Sequence, residues 1–179
     1  MSGHLRGLVY LFGLAVLLAA CVRPAAQTPA PSSRLEQITG SGVIRAGVAA
    51  DIPPFAFFDH QGERQGFDIV LMNEIARRLG VEVNWVDAAY EPMREAVRDR
   101  KVDLAIGAIP YSEEWDRDVD FTRPYYDLGE PGPADSGLLY IILPQGETAL
   151  AERLNQIIGE LECDGFIQRL AQEYLEAQW

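Results

Sequence analysis

The sequence predicts an α/β fold in which a mostly parallel, five-stranded sheet is flanked by helices. Three stretches lead to this prediction. Val43–Val48 is a short apolar run of strand length, residues 67–79 carry apolar side chains at helical spacing, and residues 81–86 form a second strand-like run. A strand, a helix and a strand of these lengths form a βαβ unit, and the two strands of such a unit run parallel.

The predicted helix over residues 67–79 is the element around which the rest of the chain is arranged. Its apolar stripe ends at Gly80, a residue type that is common where helices stop. Asp68 lies at the start of the helix, where we expect its side chain to cap the free N–H groups. Residues 49–66, rich in Pro and Phe, are predicted to form a loop. The stripe consists of Met72, Ile75, Ala76 and Leu79.

The remaining strands and one more helix follow in order. A helix is expected to start at Tyr90, because Pro92 falls at an early helical position where its missing N–H costs little. Residues 101–109 form a nearly continuous apolar run, as expected for a strand that is covered on both faces. Val119–Phe121 and residues 138–143 complete the five strands.

Two amphipathic helices are expected at the end of the chain, with Asp164 as the cap of the second. The residues expected to face inward are Leu150, Leu154, Ile157, Ile158 and Leu161 in the first helix, and Phe166, Ile167, Leu170, Tyr174 and Leu175 in the second.

The N-terminus has the features of an exported lipoprotein. Residues 1–21 combine the basic Arg6 with an apolar stretch that is too short to span a membrane comfortably and is typical of a signal peptide. The stretch ends in Leu-Ala-Ala-Cys, which resembles a bacterial lipobox, so Cys21 is the expected site of lipid attachment. Residues 22–34 are rich in Pro, Ala, Ser and Thr and are expected to be a flexible tether to a folded domain over 35–179.

Charge and composition argue against several classes of function. The formal net charge is −12, so nucleic acids and anionic lipids are poor candidates as partners. With Cys21 lipidated, Cys163 has no partner, so no disulfide is expected and Cys163 is predicted to be buried. His60 is a lone loop histidine, which argues against catalysis. We therefore expect no enzyme, no cofactor and no metal site.

Several short motifs follow one another in a fixed order along the chain. They are Gly47-Val48, Pro54-Phe55, Gly66-Phe67-Asp68, Ile75-Ala76 with Leu79-Gly80, Lys101-Val102-Asp103-Leu104, Val119-Asp120-Phe121, Pro124-Tyr125-Tyr126 and Leu154-Asn155. Together they resemble the family 3 extracellular solute-binding proteins, the amino-acid receptors of bacterial ABC importers. The resemblance implies a periplasmic-binding-protein-like fold, solute recognition for an ABC transporter, and an extracytoplasmic location that suits a lipid anchor on the bacterial cell membrane.

One half of the family architecture is missing from the sequence. Members of the family have two α/β lobes, and the chain crosses to the second lobe after the Pro-Tyr-Tyr motif and returns before the last strand. Here only residues 128–137 lie between these points. The resemblance therefore implies a single lobe, made of residues 35–127 and 138–179 and joined by a short loop, with the second lobe absent.

The positions that contact ligand in the family are also changed. The resemblance places the family's carboxylate-binding Arg at Trp115 and a hydroxyl residue at Pro110. It places the Asp and the aromatic residue that usually precede Pro-Phe at Ala49 and Ile52, with Asp51 nearby but out of step. An eroded or open ligand site is therefore expected.

A solute would still be expected beyond the carboxyl ends of the strands. There Phe55, Tyr111 and Trp115 would supply apolar walls and Asp51 a single anionic contact, for an amino acid or another small polar molecule. Two alternatives remain open. The aromatic residues cover surface that once faced the missing lobe, or they form a patch with which a non-solute-binding interaction module docks on a transporter or another protein.

Overall fold

A computed structural model of the chain describes residues 33–129 and 137–176. The helices are α1 (Arg34–Ser41), α2 (Phe67–Leu79), α3 (Tyr90–Arg98), α4 (Thr148–Cys163) and α5 (Phe166–Ala171), with a 3-10 turn at Trp115–Arg117 and a π-helical turn at Gln172–Glu176. The strands are β1 (Val43–Val48), β2 (Asp51–Ile52), β3 (Ala56–Phe58), β4 (Arg64–Gln65), β5 (Glu82–Asp87), β6 (Leu104–Pro110), β7 (Val119–Phe121), β8 (Tyr126–Asp127) and β9 (Leu138–Pro144).

The main sheet confirms the predicted α/β class and differs in detail. Its strand order is β5-β1-β6-β9-β7, and β8 also pairs with β9. The β5–β1 and β1–β6 pairs are parallel, as the βαβ pattern predicts, whereas β9 runs antiparallel to β6, β7 and β8. The sheet is therefore mixed, because the chain turns back between β8 and β9 instead of crossing over through a helix. It has six strands rather than five, because β8 also belongs to it.

The predicted loop over residues 49–66 is wrong in part. It contains a second, antiparallel sheet in which β2 pairs with β3 and β3 pairs with β4. Each of its strands has two or three residues, which is too short to show the alternation by which a strand is recognised in a sequence.

The main sheet is packed on both faces. On one face, α1, α2, α4 and α5 cover the larger part of the core. On the other face, α3 and the 3-10 turn cover a smaller core that includes Met93, Val97, Ile109 and Val119. The predicted inward face of α4 is confirmed, because all of its members are fully buried: Leu150, Leu154, Ile157, Ile158 and Leu161.

Helix α1 was not predicted, although the sequence carries its start signal. Ser33 and Glu36 form a capping box, with the Glu36 N–H donating to Ser33 Oγ at 3.2 Å and the Ser33 N–H donating to Glu36 Oε2 at 3.0 Å. The last two residues of the predicted tether over 22–34 belong to this helix, with Ser33 as its cap and Arg34 as its first residue. Residues 1–32, including Cys21, lie outside the described residues.

Asp103 connects α1 with the amino end of the sheet through a hydrogen bond and ion pairs. Its buried carboxylate accepts the Arg45 backbone N–H at 2.8 Å and forms ion pairs with Arg34 and Arg45. Burial acts to raise the pKa of Asp103, but the hydrogen bonds from Arg45 and Arg34 outweigh it and lower that pKa.

Three further observations concern expectations from composition. Cys163 is exposed, contrary to prediction, because it is the last residue of α4 and does not lie on the buried face. Across residues 33–129 and 137–176 we find no group of three His, Cys, Asp or Glu side chains arranged to hold a metal ion. No helix in that part of the chain has the length and apolar character needed to cross a membrane.

Candidate functional site

The carboxyl ends of the parallel strands define the candidate site. Strands β5, β1 and β6 lie side by side, so the residues that end or follow them share one edge of the sheet. Asp87 ends β5, Asp51 follows β1 and Tyr111 follows β6. In open α/β sheets this edge is the place where ligands bind.

Asp51 lines a shallow cavity at this edge of the sheet. The cavity has a volume of about 290 Å³, and two carboxylates, Asp51 and Asp87, lie on its wall. Asp51 is exposed, so its charge is available to a cationic group. The lining residues are Ala50, Asp51, Phe58, Asp87, Ala88 and Ala89.

Arg64 already engages the second of these carboxylates. Its guanidinium forms a forked pair with Asp87, at 2.6 Å from Nη1 to Oδ1 and 3.1 Å from Nη2 to Oδ2. The hydrogen bonds from Arg64 lower the pKa of Asp87. The same guanidinium lies 4.7 Å from the centre of the Phe58 ring. No local motif predicts this contact, because it depends on the pairing of Phe58 with Arg64 between β3 and β4.

Tyr111 is the exposed member of an aromatic cluster formed by Tyr111, Phe121 and Tyr140. The Tyr111 ring lies 5.1 Å from Phe121 and 6.3 Å from Tyr140, and Phe121 meets Tyr140 edge to face at 5.7 Å. Tyr111 is 41% exposed, whereas Tyr140 is 9% exposed, so Tyr111 presents the surface that a solute could contact.

Trp115 and Phe55 are placed behind this edge rather than on it. Trp115 is only 6% exposed and packs 5.2 Å from the Tyr90 ring, within the smaller core. Phe55 is half-buried and meets Phe67 edge to face at 6.2 Å. Of the four predicted site residues, Asp51 and Tyr111 therefore face solvent, and Asp51 is the one that lines the cavity.

Asp68 does not cap α2, contrary to prediction. Gly66 occupies the cap position, and the Asp68 carboxylate instead accepts the Ala108 backbone N–H on β6, with Oδ2 at 2.7 Å from the nitrogen. Asp68 is completely buried, and burial raises its pKa from 3.8 to about 7, although the Ala108 N–H and the Tyr125 hydroxyl act in the opposite direction. The Gly-Phe-Asp motif marks this residue in the sequence, but capping rules consider only neighbours along the chain and therefore miss the contact with Ala108.

The Asp68 carboxylate holds β6 in an irregular conformation. Ala108 has a left-handed backbone with φ of 49°, and Gly107 before it has φ of 153°. The pairing register between β6 and β9 shifts between Ala105 and Ile109. A non-glycine residue with positive φ is uncommon, so an outside contact such as the one from Asp68 helps to stabilise this bulge.

The backbone of the same α2 start holds the turn that carries Phe55. The Phe67 N–H donates to the Pro54 carbonyl at 3.0 Å, and the Asp68 N–H donates to the Phe55 carbonyl at 2.9 Å. The residues at the beginning of α2 thus contact both the loop after β1 and the end of β6.

A comparison with known protein families finds a match over most of the chain. Residues 44–177 match the model of the bacterial extracellular solute-binding proteins, family 3. The arginine-binding extracellular protein ArtP of Bacillus subtilis is 30% identical over 138 residues, covering 75% of this chain and 53% of that protein. Cyclohexadienyl dehydratase of Pseudomonas aeruginosa is 30% identical over 130 residues, covering 73% of this chain and 47% of that enzyme.

The coverage of these relatives agrees with a single lobe. The L-arginine-binding protein of Pseudomonas aeruginosa is 31% identical over 84 residues, and the chain spans 32% of its length. Across the three relatives named here, the chain spans 32% to 53% of the relative's length.

Solved structures support the same relationship. The arginine-bound form of domain 1 from TmArgBP is 36% identical to this chain, with a TM-score of 0.64, and is covered over 98% of its length, which corresponds to 70% of this chain. An ancestral cyclohexadienyl dehydratase reaches a TM-score of 0.73 at 18% identity and shows the fold alone. With one lobe of this architecture and a family match over most of its length, the chain belongs to the bacterial extracellular solute-binding proteins of family 3.

Proposed function

We propose that this protein is a single-lobe solute receptor that binds an amino acid at the open carboxyl edge of its sheet. One observation carries the proposal: Asp51 and Tyr111 both face solvent at that edge, in a lobe similar to an isolated, arginine-bound domain. A binding role is favoured over catalysis because the relatives are mainly amino-acid-binding proteins, although one of them is a dehydratase.

The chemistry of the edge favours a solute with a cationic group. The Asp51 carboxylate would accept hydrogen bonds from an ammonium or guanidinium group, and the Tyr111 ring would pack against the aliphatic part of the solute. Phe55 and Trp115 would act from behind, Phe55 by shaping the turn next to Asp51 and Trp115 by supporting the segment that follows Tyr111.

The presence of one lobe limits both how the protein can bind a solute and how tightly it can do so. Closure of two lobes on a solute is not available to one lobe, so much of the solute stays in contact with water. Affinity rises with the surface that a site buries and with the preorganisation of its groups, so weak binding is expected.

The proposed cellular setting follows from the N-terminal sequence and from the family. Lipid on Cys21 would anchor the protein at the outer side of the cell membrane, and residues 22–32 would let the lobe reach an ABC importer. Both the anchor and the transporter partner are part of this proposal.

The test is a binding measurement on the full chain purified in mild detergent. L-arginine, L-glutamine, L-glutamate and glucose are added over a range of concentrations, and the melting temperature is followed by circular dichroism. A saturable increase with L-arginine that is absent with glucose supports the proposal, because only a ligand of the folded state raises the melting temperature. A cooperative melt that no solute shifts would refute solute binding and favour the interaction module.

Matched variants locate the site. Asp51→Asn and Tyr111→Ala are each expected to reduce the shift caused by L-arginine. Asp99→Asn is the control, because Asp99 is an exposed carboxylate at the end of α3, at the opposite edge of the sheet. A loss of binding in Asp99→Asn equal to that in Asp51→Asn would show that net charge, rather than a local contact, attracts the solute.

A further inference from the structure

We propose that Asp68 is a positioning residue for the solute site, one that fixes the Phe55 turn and the carboxyl end of β6 relative to each other. The inference rests on the proposed function, because the two segments that Asp68 joins carry the proposed contact residues. Asp68 itself does not touch the solute edge, since its side chain is completely buried.

Two hydrogen bonds of one residue link the two segments. The Asp68 N–H donates to the Phe55 carbonyl at 2.9 Å, and the Asp68 carboxylate accepts the Ala108 N–H at 2.7 Å. Phe55 follows Asp51 by four residues, and Ala108 precedes Tyr111 by three. Any change in the bond to Ala108 therefore alters the backbone from which Tyr111 extends.

The bond to Ala108 depends on the charge of Asp68. A carboxylate accepts an N–H more strongly than a neutral acid does, since charge-assisted hydrogen bonds are about twice as strong as neutral ones. The strained left-handed conformation of Ala108 makes this segment sensitive to the strength of that bond.

The surroundings of the carboxyl are simple. In the part of the chain that is described, the groups that act on Asp68 are the Ala108 N–H and the Tyr125 hydroxyl, and Tyr90 acts in turn on Tyr125. Asp68 Oδ1 and the Tyr125 hydroxyl are both buried and do not meet the geometry of a hydrogen bond with each other, but the hydroxyl is near enough to lower the pKa of Asp68. With a pKa of about 7, the carboxyl changes its charge in the neutral range.

The expected consequence is a solute affinity that depends on pH. The dissociation constant for L-arginine should increase about threefold to tenfold from pH 8 to pH 5.5, as Asp68 becomes protonated and the bond to Ala108 weakens. By linkage, saturating L-arginine should move the titration of Asp68 to lower pH.

The test combines calorimetry with the amide signal of Ala108 in the ¹⁵N-labelled full chain in detergent. In the wild type, the Ala108 amide proton should titrate near neutral pH, with the same midpoint as the affinity for L-arginine. Asp68→Asn keeps an acceptor for the Ala108 N–H but cannot ionise, so its affinity should stay at the low-pH value throughout.

Two further variants keep the inference falsifiable if Asp68→Asn fails to fold. Tyr125→Phe removes the hydroxyl that lowers the pKa of Asp68, so both midpoints should move together to higher pH. Asp103→Asn is the control, because Asp103 is also a buried carboxylate that accepts a backbone N–H, but at the amino end of the sheet. It should lower the melting temperature without changing the pH profile of affinity.

The outcomes separate the inference from the function on which it rests. If the wild type binds L-arginine with an affinity that does not follow the Ala108 titration, or if Asp68→Asn keeps the wild-type profile, the positioning role is refuted and the receptor proposal stands. If the Ala108 amide titrates but the wild type binds none of the four solutes at any pH, the receptor proposal fails and the inference fails with it.

Discussion

Gly66 lies so close to the Phe55 carbonyl that a Cβ at Gly66 would stand 2.2 Å from the Phe55 oxygen. Gly66 also has φ of 125°, a conformation that side chains strongly disfavour. The close approach allows the Asp68 N–H to reach the same Phe55 carbonyl, so the absence of a side chain at Gly66 is what lets the turn dock on α2.

Gly66→Ala is therefore expected to destabilise the lobe severely, by about 4 kcal/mol or more, because backbone atoms must move to remove the clash. Chemical denaturation followed by circular dichroism measures this loss. Gly62→Ala is the matched control, since Gly62 also has positive φ, of 81°, but a Cβ there would meet no atom within 4 Å. It should cost only about 1–2 kcal/mol. Equal losses in the two variants would contradict the explanation.

The buried Asp68 is expected to make stability fall as the pH rises. Its pKa is about 7 in the folded state against 3.8 ordinarily, so the folded state binds the proton more tightly than the unfolded state. The stabilisation is complete below the unfolded pKa and is lost as the pH rises through the folded pKa. A shift of this size corresponds to at most about 4 kcal/mol.

Asp68→Asn removes this dependence, because the amide stays neutral. The melting temperature of the variant minus that of the wild type should increase from pH 5 to pH 8, by an amount that can reach roughly 10 °C. Thermal melts at matched ionic strength measure the difference. A difference that stays constant with pH would show that Asp68 titrates alike in both states.

Arg78 is expected to contribute more to stability than its neighbour Arg77. Arg78 is 18% exposed, pairs with Glu74 on its own helix, and joins α2 to the end of α4 through Glu160 and Asp164. Arg78→Ala should lower the free energy of unfolding by about 1–3 kcal/mol, because it removes several hydrogen bonds to charged groups.

Arg77→Ala provides the matched comparison, since Arg77 pairs with the same Glu74 but is 71% exposed. It should change the free energy of unfolding by at most about 0.5 kcal/mol. Urea denaturation of both variants checks the contrast, and similar losses would mean that the contacts between α2 and α4 carry no special weight.

Substitutions at Trp115 and Tyr111 are expected to differ in their effects on stability and on solute binding. Trp115→Ala opens space in the smaller core and should cost about 3–5 kcal/mol, whereas Tyr111→Ala removes an exposed ring and should cost about 1 kcal/mol. At a temperature where both variants are folded, Tyr111→Ala should reduce the affinity for L-arginine more than Trp115→Ala does, because only the Tyr111 ring would contact the solute. A larger loss of affinity in Trp115→Ala would mean that the buried ring shapes the site directly.

The elements that could be predicted from the sequence are those with a long, regular pattern. Helix α2 shows its apolar stripe and its terminal Gly80, and α4 shows five inward residues at helical spacing, so both follow from periodicity alone. The parallel pairing of β1 with β5 follows from the helix between them. The direction of β9 could not be derived in this way, because it depends on the short connection before it.

The candidate site was predicted only in outline, for two physical reasons. Trp115 is expected at the ligand edge because it falls at the position of the family's carboxylate-binding Arg, whereas a 3-10 turn places its ring in the smaller core. Asp68 lies where capping rules apply, yet its partner Ala108 is forty residues further along the chain and only the folded sheet brings it near. Local patterns identify the edge of the sheet but not the contacts across it.

The pairing of β8 with β9 has a consequence for how such genes can change. The Leu128 N–H donates to the Gly137 carbonyl at 2.9 Å, so the two ends of the connection are hydrogen-bonded neighbours at the rim of the sheet. A domain whose own termini lie close together can be spliced in or cut out between such neighbours without altering the core on either side. A second domain could therefore be gained or lost by one event at this single point in the gene.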